Sequence, residues 1–188
     1  ALASGENDRR EVFALHRGSP AFAGPVPRGG PGSQITLSMS RVLPTRTAVD
    51  HLVVAPTGVW IVDTKHDTGK VVHREVGSYL RSESRLFVDG RDRTHLVTDL
   101  DEQVGAVRAT LITAGLRGIP VKPVLCFTNS EWGLLARPFT INGVLVTWGS
   151  KLGSRILDGP STHDVELVHL AALLAAALPA TANAAALP

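Results

Sequence analysis

Apolar residues along this chain recur with two different periods, and the order of the two predicts a mixed α/β fold. Residues 49–65 contain two apolar runs joined by Pro56-Thr57-Gly58, which is typical of a β-hairpin. Before the hairpin, the alternating residues Ile35, Leu37 and Met39 predict a half-buried strand that pairs with it. After it, residues 70–72 predict a third strand of the same meander, followed by a short hairpin around Asp89-Gly90.

Helical periodicity appears near the start of the chain and again in its middle. Residues 4–16 predict a first helix that carries Glu6 in its first turn. Between Leu96 and Leu116 apolar residues recur every three or four positions, which predicts an amphipathic helix ending at Gly115 or Gly118, with Gln103 at the border of its apolar stripe. Residues 121–128 then predict a buried strand.

The remaining turn and capping residues complete the predicted organisation. Asn142-Gly143 predicts a hairpin turn. Ser150 is expected to cap a short helix through Leu157, and Ser161 with Asp164 forms a near capping box for a helix before Pro179. The chain of 188 residues is therefore expected to be one domain over 1–178, with a Pro/Gly-rich loop at 18–32 and a disordered, Ala-rich tail at 179–188.

The hairpin register decides where its two acidic residues lie. A four-residue turn pairs Val54 with Val59. The same register pairs Asp50 with Asp63, with Cβ atoms roughly 4.5–5.5 Å apart, and puts Lys65 on the same face. The alternative is a three-residue loop with a glycine bulge, which shifts the register by one and sends the two acids to opposite faces.

Two neighbouring carboxylates require a positive charge between them. At about 5 Å and an effective dielectric near 20 they repel by roughly 3 kcal/mol. Lys65 alone can supply that charge, in which case the group is a structural ion pair. Oxygen ligands converging from two strands also suit Mg²⁺, which binds one or two carboxylates together with water and phosphate oxygens. The sequence leaves both interpretations open.

The composition constrains the class of protein and its cellular location, but it does not identify a binding partner. Hydrophobic residues make up 44% of the chain and the formal net charge is only +2, so overall charge does not indicate a nucleic-acid-binding protein. The single Cys126 lies in an apolar run, which favours a small buried side chain and excludes a disulfide within the chain. We therefore expect a reducing, cytoplasmic location and no membrane span.

Local clusters of basic residues offer one candidate surface for a polyanion. Arg81, Arg85, Arg91 and Arg93, here called the arginine group, could contact phosphates together with Lys65 and Lys70. Acidic residues are interleaved with them at positions 83, 89 and 92. An ordinary solvated surface is the alternative interpretation.

The D…DxK pattern of the hairpin resembles the core of the PD-(D/E)xK nuclease superfamily, and the chain more narrowly resembles the nuclease-related domain (NERD) family. The resemblance covers most of residues 5–157. It is carried by Gly5-Glu6, VDHLVVAPTGVWIVDTK, TGKV, LFVDGRDRTHL, Gln103 and PVKPVLCFTNSEW. Two positions depart from the family pattern, because Val49 stands where the pattern has Pro and Asp63 stands where many relatives have Glu.

This resemblance implies a single restriction-endonuclease-like domain with a central mixed sheet flanked by helices. It implies a nuclease dependent on Mg²⁺ or Mn²⁺ that hydrolyses phosphodiester bonds, in DNA more than in RNA, and it allows a homodimer. Asp50, Asp63 and Glu6 would hold the metal, Lys65 would orient or deprotonate the attacking water, and Gln103 would complete the pocket. A module that keeps the fold but only binds nucleic acid or a protein partner is the alternative, and a purely structural domain is a third.

Overall fold

A computed structural model describes residues 37–42, 48–78 and 81–178 of the chain. The predicted first helix with Glu6, the Pro/Gly-rich loop at 18–32 and the tail at 179–188 lie outside the described residues. The strands are β1 (Leu37–Val42), β2 (Ala48–Ala55), β3 (Gly58–Lys65), β4 (Val71–Ser78), β5 (Arg81–Val88), β6 (Arg91–Asp92), β7 (Val121–Phe127), β8 (Phe139–Ile141) and β9 (Val144–Trp148). The helices are α1 (His95–Thr98), α2 (Leu100–Thr113), α3 (Gly149–Leu157) and α4 (Leu167–Ala177).

The main sheet has six strands in the order β1-β2-β3-β7-β9-β8. Strands β1, β2 and β3 pair antiparallel, whereas β3, β7 and β9 pair parallel. The predicted mixed α/β fold is therefore confirmed, as is the pairing of the strand at Leu37 with the hairpin. Parallel pairing places the carboxyl ends of β3 and β7 at the same edge of the sheet.

The prediction that residues 70–72 continue the meander is wrong. The free edge of β3 is taken by β7, which reaches it in parallel after the crossover through α2. Strand β4 pairs instead with β5 in a separate three-stranded sheet, β4-β5-β6. The predicted hairpin at Asp89-Gly90 is confirmed as the β5–β6 turn, where both residues have positive φ, 50° and 74°.

Both faces of the main sheet are covered, which explains why the hairpin strands are apolar on both sides. On one face Leu52, Ile61 and Leu125 pack with residues of α2 and α4. On the other face Trp60 and Cys126 pack against α3. Burial raises the pKa of the Cys126 thiol to about 11, so this residue is the small buried side chain that the sequence predicts.

The middle helix begins later than predicted. Its predicted first turn is the separate α1, and α2 starts after Asp99. Its end agrees with the prediction, because Gly115 adopts a φ of +77° and its backbone N–H donates to the carbonyl of Ile112. No helix in the described part of the chain is long and apolar enough to cross a membrane.

Both predicted serine caps are wrong. Helix α3 begins at Gly149 with Trp148 at the N-cap position, and α4 begins at Leu167 after Glu166; neither helix has a side-chain capping hydrogen bond. The Ser161 hydroxyl donates instead to the carbonyl of His163. The segment around Ser161 is held against the hairpin turn, because the neighbouring Thr162 N–H donates to the Pro56 carbonyl at 2.9 Å. This long-range contact competes with local capping.

Candidate metal and nucleic-acid site

The register that positions the acidic residues is confirmed. Val54 pairs with Val59, and the ladder continues outward to His51 and Val62, so the next residues opposite each other are Asp50 and Asp63. The alternative register with a glycine bulge is wrong. The turn itself requires glycine at position 58, because φ is +128° and a Cβ there would lie 2.6 Å from the Pro120 carbonyl oxygen.

Asp50, Asp63 and Lys65 open onto one hollow at the carboxyl end of β3, with a volume of about 600 Å³. Lys65 Nζ lies 2.7 Å from Asp63 Oδ2. The Thr64 N–H donates to Asp50 Oδ2 at 3.1 Å, which ties the start of β2 to the end of β3. We call this the acidic hollow; it is the convergence that the register predicts.

The Asp63 carboxyl is the buried member of the pair and has a raised pKa. The main cause is desolvation by burial, since the residue is 8% exposed. Lys65 opposes the shift, whereas the adjacent Asp50 adds to it through its charge and a side-chain hydrogen bond. The structure therefore holds Asp63 where its negative charge is disfavoured unless positive charge is added. Asp50, by contrast, is exposed.

Helix α2 supplies the opposite wall of the acidic hollow. Gln103 lies there, 7% exposed, and its amide oxygen Oε1 has no hydrogen-bond donor among the described residues. A buried amide oxygen without a partner is costly, so it favours a water or a cation beside it. The structure brings Gln103 to the two acids and the lysine, and the role of Gln103 stays a prediction.

Three further residues of the acidic hollow do not follow from the pattern of the hairpin. Thr98, Asp99 and Glu102 line the same space. Asp99 and Glu102 are three residues apart, and Asp99 precedes Gln103 by four, so all lie on one flank of the helical segment. The three- and four-residue spacing of these polar residues is the signal that the sequence offers for them. It identifies them as site residues only once the helix is known to lie beside the hairpin.

The donor set fits a hard divalent cation. Two carboxylates and an unpartnered amide oxygen converge, and oxygen donors suit Mg²⁺ and Mn²⁺. Within residues 37–42, 48–78 and 81–178 no group of three or more His, Cys, Asp or Glu side chains could hold a metal by itself. Such a site would therefore depend on water, on substrate oxygens or on Glu6.

The arginine group is partly neutralised by its neighbours. Arg85 pairs with Glu83 at 3.0 Å and with Asp92 at 2.9 Å, and Arg93 Nη2 lies 3.4 Å from Asp67 Oδ1. For these two residues the interpretation as an ordinary charged surface is favoured. Arg81 and Arg91 are exposed.

Comparison with protein families identifies one match that covers slightly more than half of the chain. The model of the family described as nuclease-related domain matches residues 31–128, a range that includes β1 to α2, β7 and the whole acidic hollow. Comparisons with curated proteins and with solved structures gave no match.

Proposed function

Because the chain belongs to the nuclease-related domain family, we propose that it is a metal-dependent nuclease that hydrolyses phosphodiester bonds, with DNA as its favoured substrate. The observation that carries this proposal is the convergence of Asp50, Asp63 and Lys65 in one hollow beside the unpartnered Gln103 oxygen. Cleavage of a phosphodiester requires a positioned hydroxide and positive charge at the phosphoryl oxygens, and these residue types can organise both.

Each residue has a distinct role in this proposal. Asp50 and Asp63 would hold the cation, with Glu6 as a further ligand. A bound Mg²⁺ or Mn²⁺ would supply a more acidic water and positive charge against the phosphate. Lys65, held by Asp63 at 2.7 Å, would orient the attacking water or take its proton. Gln103 would donate or accept one hydrogen bond at the same water or at a phosphate oxygen.

A module that binds nucleic acid without cutting it is the second candidate. One observation favours it: Lys65 already pairs with Asp63, which supplies positive charge to the acid pair without any metal. The two candidates agree on the fold and differ in turnover.

Cleavage assays distinguish the two candidates. Plasmid and oligonucleotide DNA are incubated with Mg²⁺ or Mn²⁺, and wild type is compared with Asp63→Asn, Lys65→Ala and the exposed control Asp164→Asn. We expect both site variants to lose cleavage by a factor of about 100 or more, because Asp63→Asn removes a ligand of the cation and Lys65→Ala removes a positive charge beside the reacting phosphate. The control should cut like wild type.

Metal binding is measured separately from turnover. Mn²⁺ should raise the Tm of wild type and of Asp164→Asn but not that of Asp50→Ala, since a ligand stabilises only the folded state that binds it. Cleavage that survives both Asp63→Asn and Lys65→Ala would contradict the proposed site. Salt-sensitive binding without any cleavage would establish the non-catalytic module.

A further inference from the structure

The acidic hollow cannot by itself attract a nucleic acid. Its lining contains four carboxyl groups, from Asp50, Asp63, Asp99 and Glu102, and one amine, from Lys65. Phosphates approaching such a surface are repelled until a cation neutralises it. The affinity for a nucleic-acid backbone therefore has to come from another surface, and the arginine group is partly neutralised by its own acidic neighbours.

A second cleft of about 760 Å³ is lined by residues of α2, of α3 and of the N-terminal end of β7. Among the described residues, five basic side chains line it, and the carboxylates in that lining are Asp101 and Asp158. The five are Arg108, Lys122, Arg137, Lys151 and Arg155. We call it the basic cleft. Five positive groups against two negative ones leave an excess of three positive charges.

The charges of the basic cleft form no ion pair with any other residue that the structure describes. Among the residues that the structure describes, none of the five has a salt bridge, whereas Lys65 and Arg93 each have one and Arg85 has two. Lys122 Nζ lies 4.8 Å from the centre of the Trp60 ring, and burial lowers the pKa of this amine. The other four side chains are exposed. Unpaired cations around a concave surface are the usual arrangement for binding phosphates.

The basic cleft and the acidic hollow lie on opposite flanks of one helix. Asp101, Val104 and Arg108 face the cleft, whereas Glu102 and Gln103 face the hollow. With 100° between successive helical residues, these two sets point to opposite sides of α2. Where both sites reach α2, they are therefore about one helix diameter apart, on the order of 10 Å. A single nucleic-acid chain has phosphates closely enough spaced to contact both.

We propose that the basic cleft binds the phosphodiester backbone of a nucleic acid and holds the substrate while the acidic hollow acts on it. The binding of the backbone by the basic cleft does not require cleavage. Only the claim that the acidic hollow acts on the bound substrate rests on the proposed nuclease function. Three of the five cations are arginines, whose planar, forked donors match phosphate oxygens.

The test measures binding without turnover. Fluorescence anisotropy of a labelled oligonucleotide, single-stranded and then duplex, is recorded in EDTA over a range of NaCl concentrations. The cleft variant combines Arg137→Gln, Lys151→Gln and Arg155→Gln. The matched control combines Lys70→Gln, Arg81→Gln and Arg91→Gln, which removes the same three charges, two from arginine and one from lysine, from the rival candidate surface formed by the arginine group and Lys70.

We expect the cleft variant to bind about tenfold more weakly or worse at 0.1 M salt and to lose about 2 to 3 units from the slope of log K against log salt. In the control, the affinity and the salt slope should change much less. Equal losses in the two variants would overturn the proposal, because net charge alone would then explain them. Cleavage that fails in wild type while this difference persists would reject the nuclease function but keep the binding site.

A membrane surface is the competing source of phosphate groups. Leu134 and Leu135 are 101% and 89% exposed and precede Arg137 of the cleft, a combination that also suits anionic lipid. Cosedimentation with phosphatidylserine vesicles, compared between wild type and Leu134→Ser/Leu135→Ser, tests this. Vesicle binding that needs the leucines, without oligonucleotide binding, would overturn the proposal. Oligonucleotide binding that is unchanged in the leucine variant supports it.

Discussion

At the scale of single residues, Asp63 determines how the acidic hollow responds to pH and to cations. Its pKa is raised mainly by burial, with Asp50 adding to the shift and Lys65 opposing it. A carboxyl group whose pKa is higher in the folded state binds its proton more tightly there than in the unfolded chain. Stability is therefore lost as pH rises from the ordinary value of 3.8 through the folded pKa. Above that pKa the charged form of Asp63 is less favourable to the fold than the protonated form.

Asp63→Asn should consequently raise the Tm at pH 7 in EDTA, because the amide resembles the protonated carboxyl group and carries no charge to be buried. The gain should shrink as the pH falls through the raised pKa of Asp63, because the wild-type carboxyl group then takes up its proton. Thermal unfolding followed by circular dichroism between pH 4 and 8 measures both effects.

Asp164→Asn serves as the control for this measurement, since its side chain is exposed and lies outside the hollow. It should leave the Tm unchanged across the range. A Tm that falls in Asp63→Asn at pH 7 would mean that the ion pair with Lys65 outweighs the cost of burial, which favours the structural interpretation of the hollow.

Part of the candidate site was predictable from sequence because its geometry is local. The meeting of Asp50, Asp63 and Lys65 follows from one turn and from the two-residue period of strands. The contributions of Asp99 and Glu102 depend on how α2 docks beside the hairpin. This is a long-range contact, and the periodicity of apolar residues along the chain does not predict it. The unpartnered state of the Gln103 oxygen is likewise a property of packing.

At the scale of elements, the hairpin turn is tied to α3 through one buried hydroxyl. Thr57 is 3% exposed; its Oγ1 donates to the Ile156 carbonyl at 2.5 Å and accepts from Trp60 Nε1 at 3.0 Å. The turn is thus held to the helix that covers the second face of the sheet. This contact keeps the β2–β3 hairpin in position at the end opposite to its acidic residues.

Thr57→Val should lower the free energy of unfolding by about 2 kcal/mol or more, because it leaves a buried donor and a buried acceptor without partners. For a chain of this size that corresponds to a Tm roughly 4–8 °C lower. Thr57→Ser keeps the hydroxyl and should lose less. Urea unfolding of the three proteins measures the difference, and a smaller loss in Thr57→Val than in Thr57→Ser would show that the methyl group, and not the hydrogen bonds, carries the contact.

The elements were predictable where they depend on neighbours in the chain. The hairpins at Pro56-Thr57, Asp89-Gly90 and Asn142-Gly143 form as predicted because turn residues and strand alternation act over a few positions. The assignment of Val71 to the main sheet failed because β7, fifty residues later, occupies the edge of β3. The caps at Ser150 and Ser161 failed because contacts with distant segments set where α3 and α4 begin.

At the scale of the whole molecule, charge is divided between two sites. Acidic groups gather at the carboxyl end of β3, and basic groups that have no salt bridge among the described residues gather in the basic cleft. A net charge of only +2 conceals this division. If the basic cleft holds the substrate and the acidic hollow cleaves it, binding and turnover should respond to different variables.

Raising NaCl from about 50 to about 200 mM should increase KM for DNA by a factor on the order of ten to a hundred, since phosphate contacts are lost with the release of counterions. The kcat should change little, because the charges inside the hollow are close together and weakly screened. Steady-state cleavage of a labelled duplex at fixed Mg²⁺ separates the two constants.

The cleft variant should show a raised KM with a weaker salt dependence, whereas Asp63→Asn should retain wild-type binding in EDTA and lose kcat. A salt effect confined to kcat would mean that the acidic hollow itself binds the backbone. The proposal that the basic cleft binds the substrate and the acidic hollow cleaves it would then be wrong.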